Sequence, residues 1–296
     1  MNSAASVRAR LLNLSKQTGE DFQALLNRYA IERFLYRLGA SDQADEFILK
    51  GAMLFVAWQG NLHRPTKDLD LLGFGDSAPG AVAQRIRSVA SVWADDGIQF
   101  DPSTVEAEVI REDAEYEGVR VKLTASLDQA CIRMQIDIGF GDAVDPAPVE
   151  SVFPAILNHI DPPKLRMYLP EAVIAEKLQA MVVLDIRNSR MKDFYDLWYF
   201  ARTGSFALGV LRRAVIATFK RRRTPMPFGL PFALTPDFHT DEGKQQQWLA
   251  FVRRLNLPAD TPDLPRVGQE IARFIQPVFK PGGEEMRWQS GGPWRS

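Results

Sequence analysis

The chain has one cysteine, Cys131, and three histidines, His63, His159 and His239. A lone thiol excludes an intramolecular disulfide, and neither residue type falls at zinc-ligand spacing. Such usage fits a reducing compartment. Positive charge is not in excess: 36 Lys and Arg face 37 Asp and Glu, for a net charge of −1 and a pI of about 6.4. A polyanionic partner would have to be held by a local basic patch, not by the overall field. No apolar run approaches the roughly 20 residues that span a bilayer. The opening Met-Asn-Ser-Ala-Ala-Ser lacks the basic stretch and apolar run of a secretory signal. The expectation is a cytoplasmic protein with no membrane partner.

What is present is ordinary globular material. Hydrophobic residues make up 46% of 296 positions, enough for a sizeable core in one large or two modest domains. Apolar residues recur at helical spacing over 3–39, with Gly19 dividing two helices. After a polar connector, Phe47-Ile48-Leu49 leads into Lys50-Gly51, and 52–58 reads as a buried helix. A polar turn, 59–67, precedes the alternating strand Asp68-Leu69-Asp70-Leu71-Leu72. A helix is expected over 81–97, then strands near 105–110 and 118–125 around an acidic loop, 111–117. A further strand is expected over 132–140. The prolines at 162, 163 and 170 punctuate the chain, so domains are expected over 1–160 and 161–296. The second reads as mostly helical, with helices at 171–184, 191–202, 208–222, 241–255 and 266–277 and a mobile tail over 281–296.

Three features can carry chemistry. The first is an ordered set: Gly51 between a strand and a helix, Asp68 and Asp70 on a strand, and Asp137 on a later one. Residues two apart on a strand share a face, so Asp68 and Asp70 point together, and a neighbouring strand could bring Asp137 alongside. Clustered carboxylates repel, and a divalent cation such as magnesium relieves that. The Gly51 turn would admit phosphate to backbone N–H groups. Singly, an Asp-x-Asp is mostly a solvated strand edge and a lone glycine a plain turn; the order of the three gives the reading its weight.

The second feature is Lys177 on one helix and Lys192-Asp193-Phe194-Tyr195-Asp196 on the next, with Asp193 and Asp196 on one helix face. The lysine would neutralise phosphate as a point cation; the bland alternative is a surface ion pair. The third is a basic cluster, Arg202, Arg212, Arg213, Lys220, Arg221, Arg222 and Arg223. It reads equally as an RNA contact or as a solvated helix end.

These residues resemble a known family. Phe47-Ile48-Leu49-Lys50-Gly51-Ala52, followed by Arg64-Pro65-Thr66-Lys67-Asp68-Leu69-Asp70-Leu71, is similar to the first motif of the AbiEii/AbiGii toxin nucleotidyltransferases. Ile174-Ala175-Glu176-Lys177-Leu178 resembles the family's lysine motif, and Lys192-Asp193-Phe194-Tyr195-Asp196-Leu197 its closing motif. The resemblance spans roughly residues 30–202. It implies an α+β fold: a polymerase β-like nucleotidyltransferase core, a mixed sheet with flanking helices, plus a helical C-terminal region. It also implies Asp68 and Asp70 as catalytic metal ligands, Lys177 on the triphosphate and Asp193 completing the site. Lys50, Gly51, Ala52 and Thr66 would line the nucleotide. Two Mg2+ ions, a nucleoside triphosphate substrate, a tRNA acceptor, a cognate antitoxin and a role in phage defence follow as expectations. Asp137 as a third ligand rests on strand patterning. Ala52 departs from the second glycine or serine of the turn; it stays small but loses a hydroxyl. An acceptor on a protein or small molecule, or a non-catalytic nucleotide-binding role, remains open.

Overall fold

Alternating apolar residues build a seven-stranded mixed sheet in a computed structural model that describes residues 3–60, 63–113, 116–142 and 144–296. The strands are β1 (Phe47–Lys50), β2 (Asp68–Gly73), β3 (Ile98–Asp113), β4 (Tyr116–Leu127), β5 (Ala130–Phe140), β6 (Val149–Val152) and β7 (Lys164–Met167). Their order is β3-β4-β5-β2-β1-β7-β6. Strand β2 runs parallel to β5 and β1 parallel to β7; the other pairs are antiparallel. Helices α1 (Ala4–Thr18), α2 (Phe22–Gly39), α3 (Leu54–Gln59) and α4 (Pro79–Ala90) belong to the same unit, residues 1–141 and 148–167.

The period of two sorts this sheet into two faces. Leu69, Leu71, Ile136, Ile138, Val119 and Val121 are fully or almost fully buried. They are register partners across β2, β5 and β4. Helices α1, α2 and α4 pack on these strands, and Phe34 of α2 meets Phe100 of β3 edge-on at 5.7 Å. The capping residues Ser3 and Asp21 accept from Ser6 and Ala24 N–H groups and start the first two helices. Gly19 ends α1 in the left-handed region, as its position between the two helices predicts.

Helix α2 also buries charge. Arg37 makes a two-pronged pair with Asp96 at 2.7 and 3.0 Å. Arg33 donates to the Asp161 carbonyl at 2.8 Å, and Glu32 accepts from the Ile156 N–H at 2.6 Å. These bonds fasten the segment between β6 and β7 to the helix.

Several expectations change. The helix expected over 81–97 ends at Ala90, because Asp95-Asp96-Gly97 turns the chain and Asp96 is taken by Arg37. Strand β3 is longer than 105–110 and slips register around Pro102, which has no N–H to give the ladder. Of the acidic loop, 114 and 115 lie outside the described residues. The proline-rich stretch contains strand β7, and the first compact unit runs to Met167.

The second unit, residues 142–147 and 168–296, is mostly helical. It holds α5 (Pro170–Leu184), α6 (Met191–Thr203), α7 (Leu208–Arg221), α8 (Pro236–His239), α9 (Glu242–Arg254) and α10 (Leu264–Ile275). The tail, expected to be mobile, carries secondary structure. Strands β9 (Arg287–Trp288) and β10 (Trp294–Arg295) form a small sheet with β8 (Phe206–Ala207). Trp288 and Trp294 are buried against Phe274 and donate to the Ala201 and Phe274 carbonyls at 2.7 and 2.8 Å. Two large aromatic side chains outweigh the local glycine and proline content. Among the described residues no helix is long and apolar enough to cross a membrane.

Candidate active site

The polar face of the sheet carries a row of charges. Lys50 on β1 is the register partner of Asp70 on β2, Asp70 of Asp137 on β5, and Asp137 of Arg120 on β4. The signs run plus, minus, minus, plus across four strands. One step along, Asp68 is opposite Gln135 and Gln135 opposite Lys122. The alternation that buries Leu69 and Leu71 leaves Asp68 and Asp70 half-buried on the other face. The neighbouring parallel strand does bring Asp137 alongside Asp70.

Arg120 is a partner that sequence reasoning missed. Its Nε and Nη2 donate to the two Asp137 carboxylate oxygens, both at 2.8 Å. Gln135 adds a longer bond of 3.4 Å to Asp137. Hydrogen bonding to Asp137 holds the Arg120 guanidinium above its ordinary range, and the charge of Asp68 adds to the effect. The signal was available: Arg120 and Lys122 alternate with Val119, Val121 and Leu123 on β4. Nothing in the sequence reported that β4 pairs with β5 in the register that meets Asp137. Among the described residues, no three His, Cys, Asp or Glu side chains gather as a metal-binding group.

Gly51 closes the row. It follows Lys50, has φ of +75°, and begins the turn into α3. A Cβ there would sit 2.0 Å from Oδ2 of Asp70 and 2.6 Å from its Cβ. Lys50 and Ala52 are buried beside it. Thr66 is half-buried ahead of β2, its hydroxyl 3.4 Å from the Asp68 carbonyl.

The second unit holds the other cluster. Lys177 on α5 lies 2.5 Å from Asp193 Oδ1 and 2.9 Å from Asp196 Oδ2, both on α6. Arg190, just before α6, reaches Asp193 Oδ2 at 3.0 Å. Both carboxylates are almost wholly buried, so this is no surface ion pair. Burial alone pushes the Asp193 carboxyl up, but Lys177, Arg190 and Lys192 hold it below its usual range.

The basic cluster is not one patch. Arg212 donates to the Pro277 and Gly282 carbonyls at 2.8 and 2.7 Å and pairs with Glu284. Arg222 binds Asp142 at 2.8 Å and Gln179 at 2.9 Å. Arg213, Lys220, Arg221 and Arg223 are exposed.

The description of a nucleotidyl transferase AbiEii toxin of a type IV toxin–antitoxin system matches residues 33–270. The chain belongs to the AbiEii nucleotidyltransferase toxin family. Membership makes it a transferase and implies a cognate antitoxin. Its fold is similar to that of MenT4, a nucleotidyltransferase toxin from Mycobacterium tuberculosis H37Rv. There the TM-score is 0.51 and the identity 20%, over 89% of this chain and 93% of that one. JHP933 from Helicobacter pylori gives a TM-score of 0.47 and 16% identity, over 87% of this chain and 92% of that one. At its identity the MenT4 likeness is one of fold. No curated protein matches the chain in sequence. For an AbiEii toxin, the charged row on β1, β2, β5 and β4 is the arrangement that the family's activity leaves to be explained.

Proposed function

We propose that this toxin transfers a nucleoside monophosphate from a nucleoside triphosphate to an acceptor hydroxyl, and that the acceptor is the 3′ end of tRNA, so that translation stops. The observation that carries the reading is the pair of carboxylates on β2, with Asp70 held against a glycine turn that a side chain would fill.

The donor set fits divalent cations of the magnesium class. Asp68 and Asp70 offer hard oxygens on one strand face, and an adjacent pair of carboxylates is relieved by a cation. Asp68 and Asp70 would hold the ions; Asp137, the third ligand expected from the sequence, has both its oxygens taken by Arg120. Bound there, two ions would polarise the acceptor oxygen and balance charge on the departing pyrophosphate. The chain's own contribution is positional. Gly51 and Ala52 leave room for phosphate at the turn, and Lys50 adds positive charge in the row. In the second unit, Lys177 is proposed to serve the triphosphate and Asp193 to orient it, held in place by Arg190. Thr66 is proposed to border the nucleotide, and exposed Arg213, Lys220, Arg221 and Arg223 to contact RNA. A cytoplasmic setting and a role in phage defence go with this reading.

The test is incubation with labelled triphosphates and separate pools of tRNA, protein and metabolites. Label should enter the tRNA pool and be released by RNase, and Asp68→Ala should abolish transfer and growth arrest without changing the melting temperature by more than a few degrees. Label resisting RNase would move the acceptor to a protein or small molecule. Release of no pyrophosphate from any triphosphate would leave only nucleotide binding.

A further inference from the structure

The second unit has a polar cavity that plays no part in the site above. It occupies about 370 Å³ and its lining includes Arg202, Arg266, Arg273, Glu270, Trp288 and Ser290. Three structural elements converge there. Arg202 lies in the last turn of α6, Arg266 and Arg273 are on α10, and the tail supplies Trp288 to Gly291. Arg266, Glu270 and Arg273 are spaced four and three apart, so they share one helix face.

The charges do not cancel. Among the described residues, Glu270 is the sole carboxylate lining the cavity. It accepts from Trp198 Nε1 at 2.7 Å and from Arg266 Nε at 3.2 Å. Arg202 lies over the Trp198 ring at 5.1 Å and, among the described residues, has no hydrogen bond or carboxylate partner. Arg273 has none either. Both guanidiniums are exposed, so the cavity keeps an excess of two positive charges in a chain whose net charge is −1. The wall behind them is fixed: Trp288 donates to the Ala201 carbonyl, Gly291 N–H to the same carbonyl at 3.0 Å, and Ser290 to the Thr203 carbonyl at 3.1 Å.

We infer that this cavity is a docking site for a backbone phosphate of the RNA acceptor. The inference deepens, and rests on, the reading of tRNA as acceptor. Guanidiniums bind phosphate oxygens through paired N–H donors. Trp288 is buried and the Trp198 ring is capped by Arg202, so no aromatic face is left for a base to stack on. Recognition here is therefore of phosphate and carries no sequence preference.

The test compares the wild-type chain with Arg202→Gln/Arg273→Gln. tRNA binding is followed by fluorescence anisotropy over a range of salt, and a fluorescent nucleoside triphosphate is titrated separately. The double variant should bind tRNA about ten-fold more weakly, with the slope of log K against log salt shallower by about 1 to 2. Triphosphate affinity should not change. Equal tRNA affinity and slope, with tRNA labelling intact in the wild type, overturns the docking site alone. Loss of triphosphate affinity with tRNA binding retained also overturns it. A wild-type chain that binds no tRNA overturns both this site and the acceptor reading.

Discussion

Gly51 and Asp70 occupy space that only one of them can fill: the Oδ2 of Asp70 stands where a β-carbon on Gly51 would be, 2.0 Å away. The left-handed φ of +75° adds a second reason for glycine at this turn. The turn into α3 and the carboxylate on β2 are therefore one unit. Gly51→Ala must displace the Asp70 carboxylate and strain the turn, at a cost of about 1–3 kcal/mol. Transfer activity should fall by at least about 100-fold, as for a reacting group moved by an ångström. A melting curve beside the labelled-triphosphate assay checks both. Full activity in this variant would show that the turn is not part of the site.

Arg120 neutralises Asp137 beside the cation site proposed for Asp68 and Asp70. Removing the guanidinium takes positive charge from beside Asp137 and, by its charge, from Asp68. Arg120→Gln should therefore tighten Mn2+ binding, by about 2- to 10-fold for a partly exposed charge. Asp137→Asn should weaken it. Calorimetric titration with Mn2+ reads both directly, whether or not the variants transfer nucleotides. If Arg120→Gln leaves the affinity unchanged, the row on the sheet does not hold the ion.

Lys177 neutralises two carboxylates that are almost fully buried. Lys177→Met strips both of a shared cation, and breaking such a buried arrangement costs about 3–5 kcal/mol. The wild-type pH profile follows from Asp193. Its folded pKa lies below the ordinary carboxylate value, so its stabilisation is complete above that value and is lost as pH falls through the folded one. Thermal melts from neutral to acid pH should show this loss in the wild type. A Lys177→Met melting temperature equal to the wild type would place the cluster outside the fold's energetics.

Glu32 predicts the opposite slope. Burial pushes its carboxyl up to about 7, against the attraction of Arg33 and the bond from the Ile156 N–H. A raised carboxylate pKa stabilises fully below the unfolded value, near 4.5, and that contribution is lost as pH rises through the folded value of about 7. Denaturant unfolding between about pH 4.5 and 7, the window those two values define, should show stability falling with pH. Glu32→Gln keeps an acceptor for Ile156 and should flatten that fall. An unaltered slope would mean that Glu32 does not titrate in this window.

Much of this protein was legible in its linear order. Strand β2, the turn at Gly51, helices α1, α2, α5, α6 and α7, and the shared face of Asp68 and Asp70 all depend on neighbours within a few positions, where periodicity of two or 3.6 and glycine chemistry decide the outcome. The ordered motifs around Lys50-Gly51, Asp68 to Asp70, Lys177 and Asp193 were enough to point to the AbiEii family.

The rest depended on contacts between distant residues. Which strand lies beside β2, and in which register, decides that Asp137 faces Asp70 and that Arg120 takes both its oxygens. Arg212 and Arg222 read equally as RNA contacts or as a solvated helix end because their own bonding partners, Pro277, Gly282, Glu284 and Asp142, are far away in sequence. The tail folds back on Phe274 for the same reason. Charge and hydrophobic pattern along the chain say which groups need a partner; only three-dimensional packing, where desolvation and hydrogen bonding act between remote segments, decides which partner each one gets.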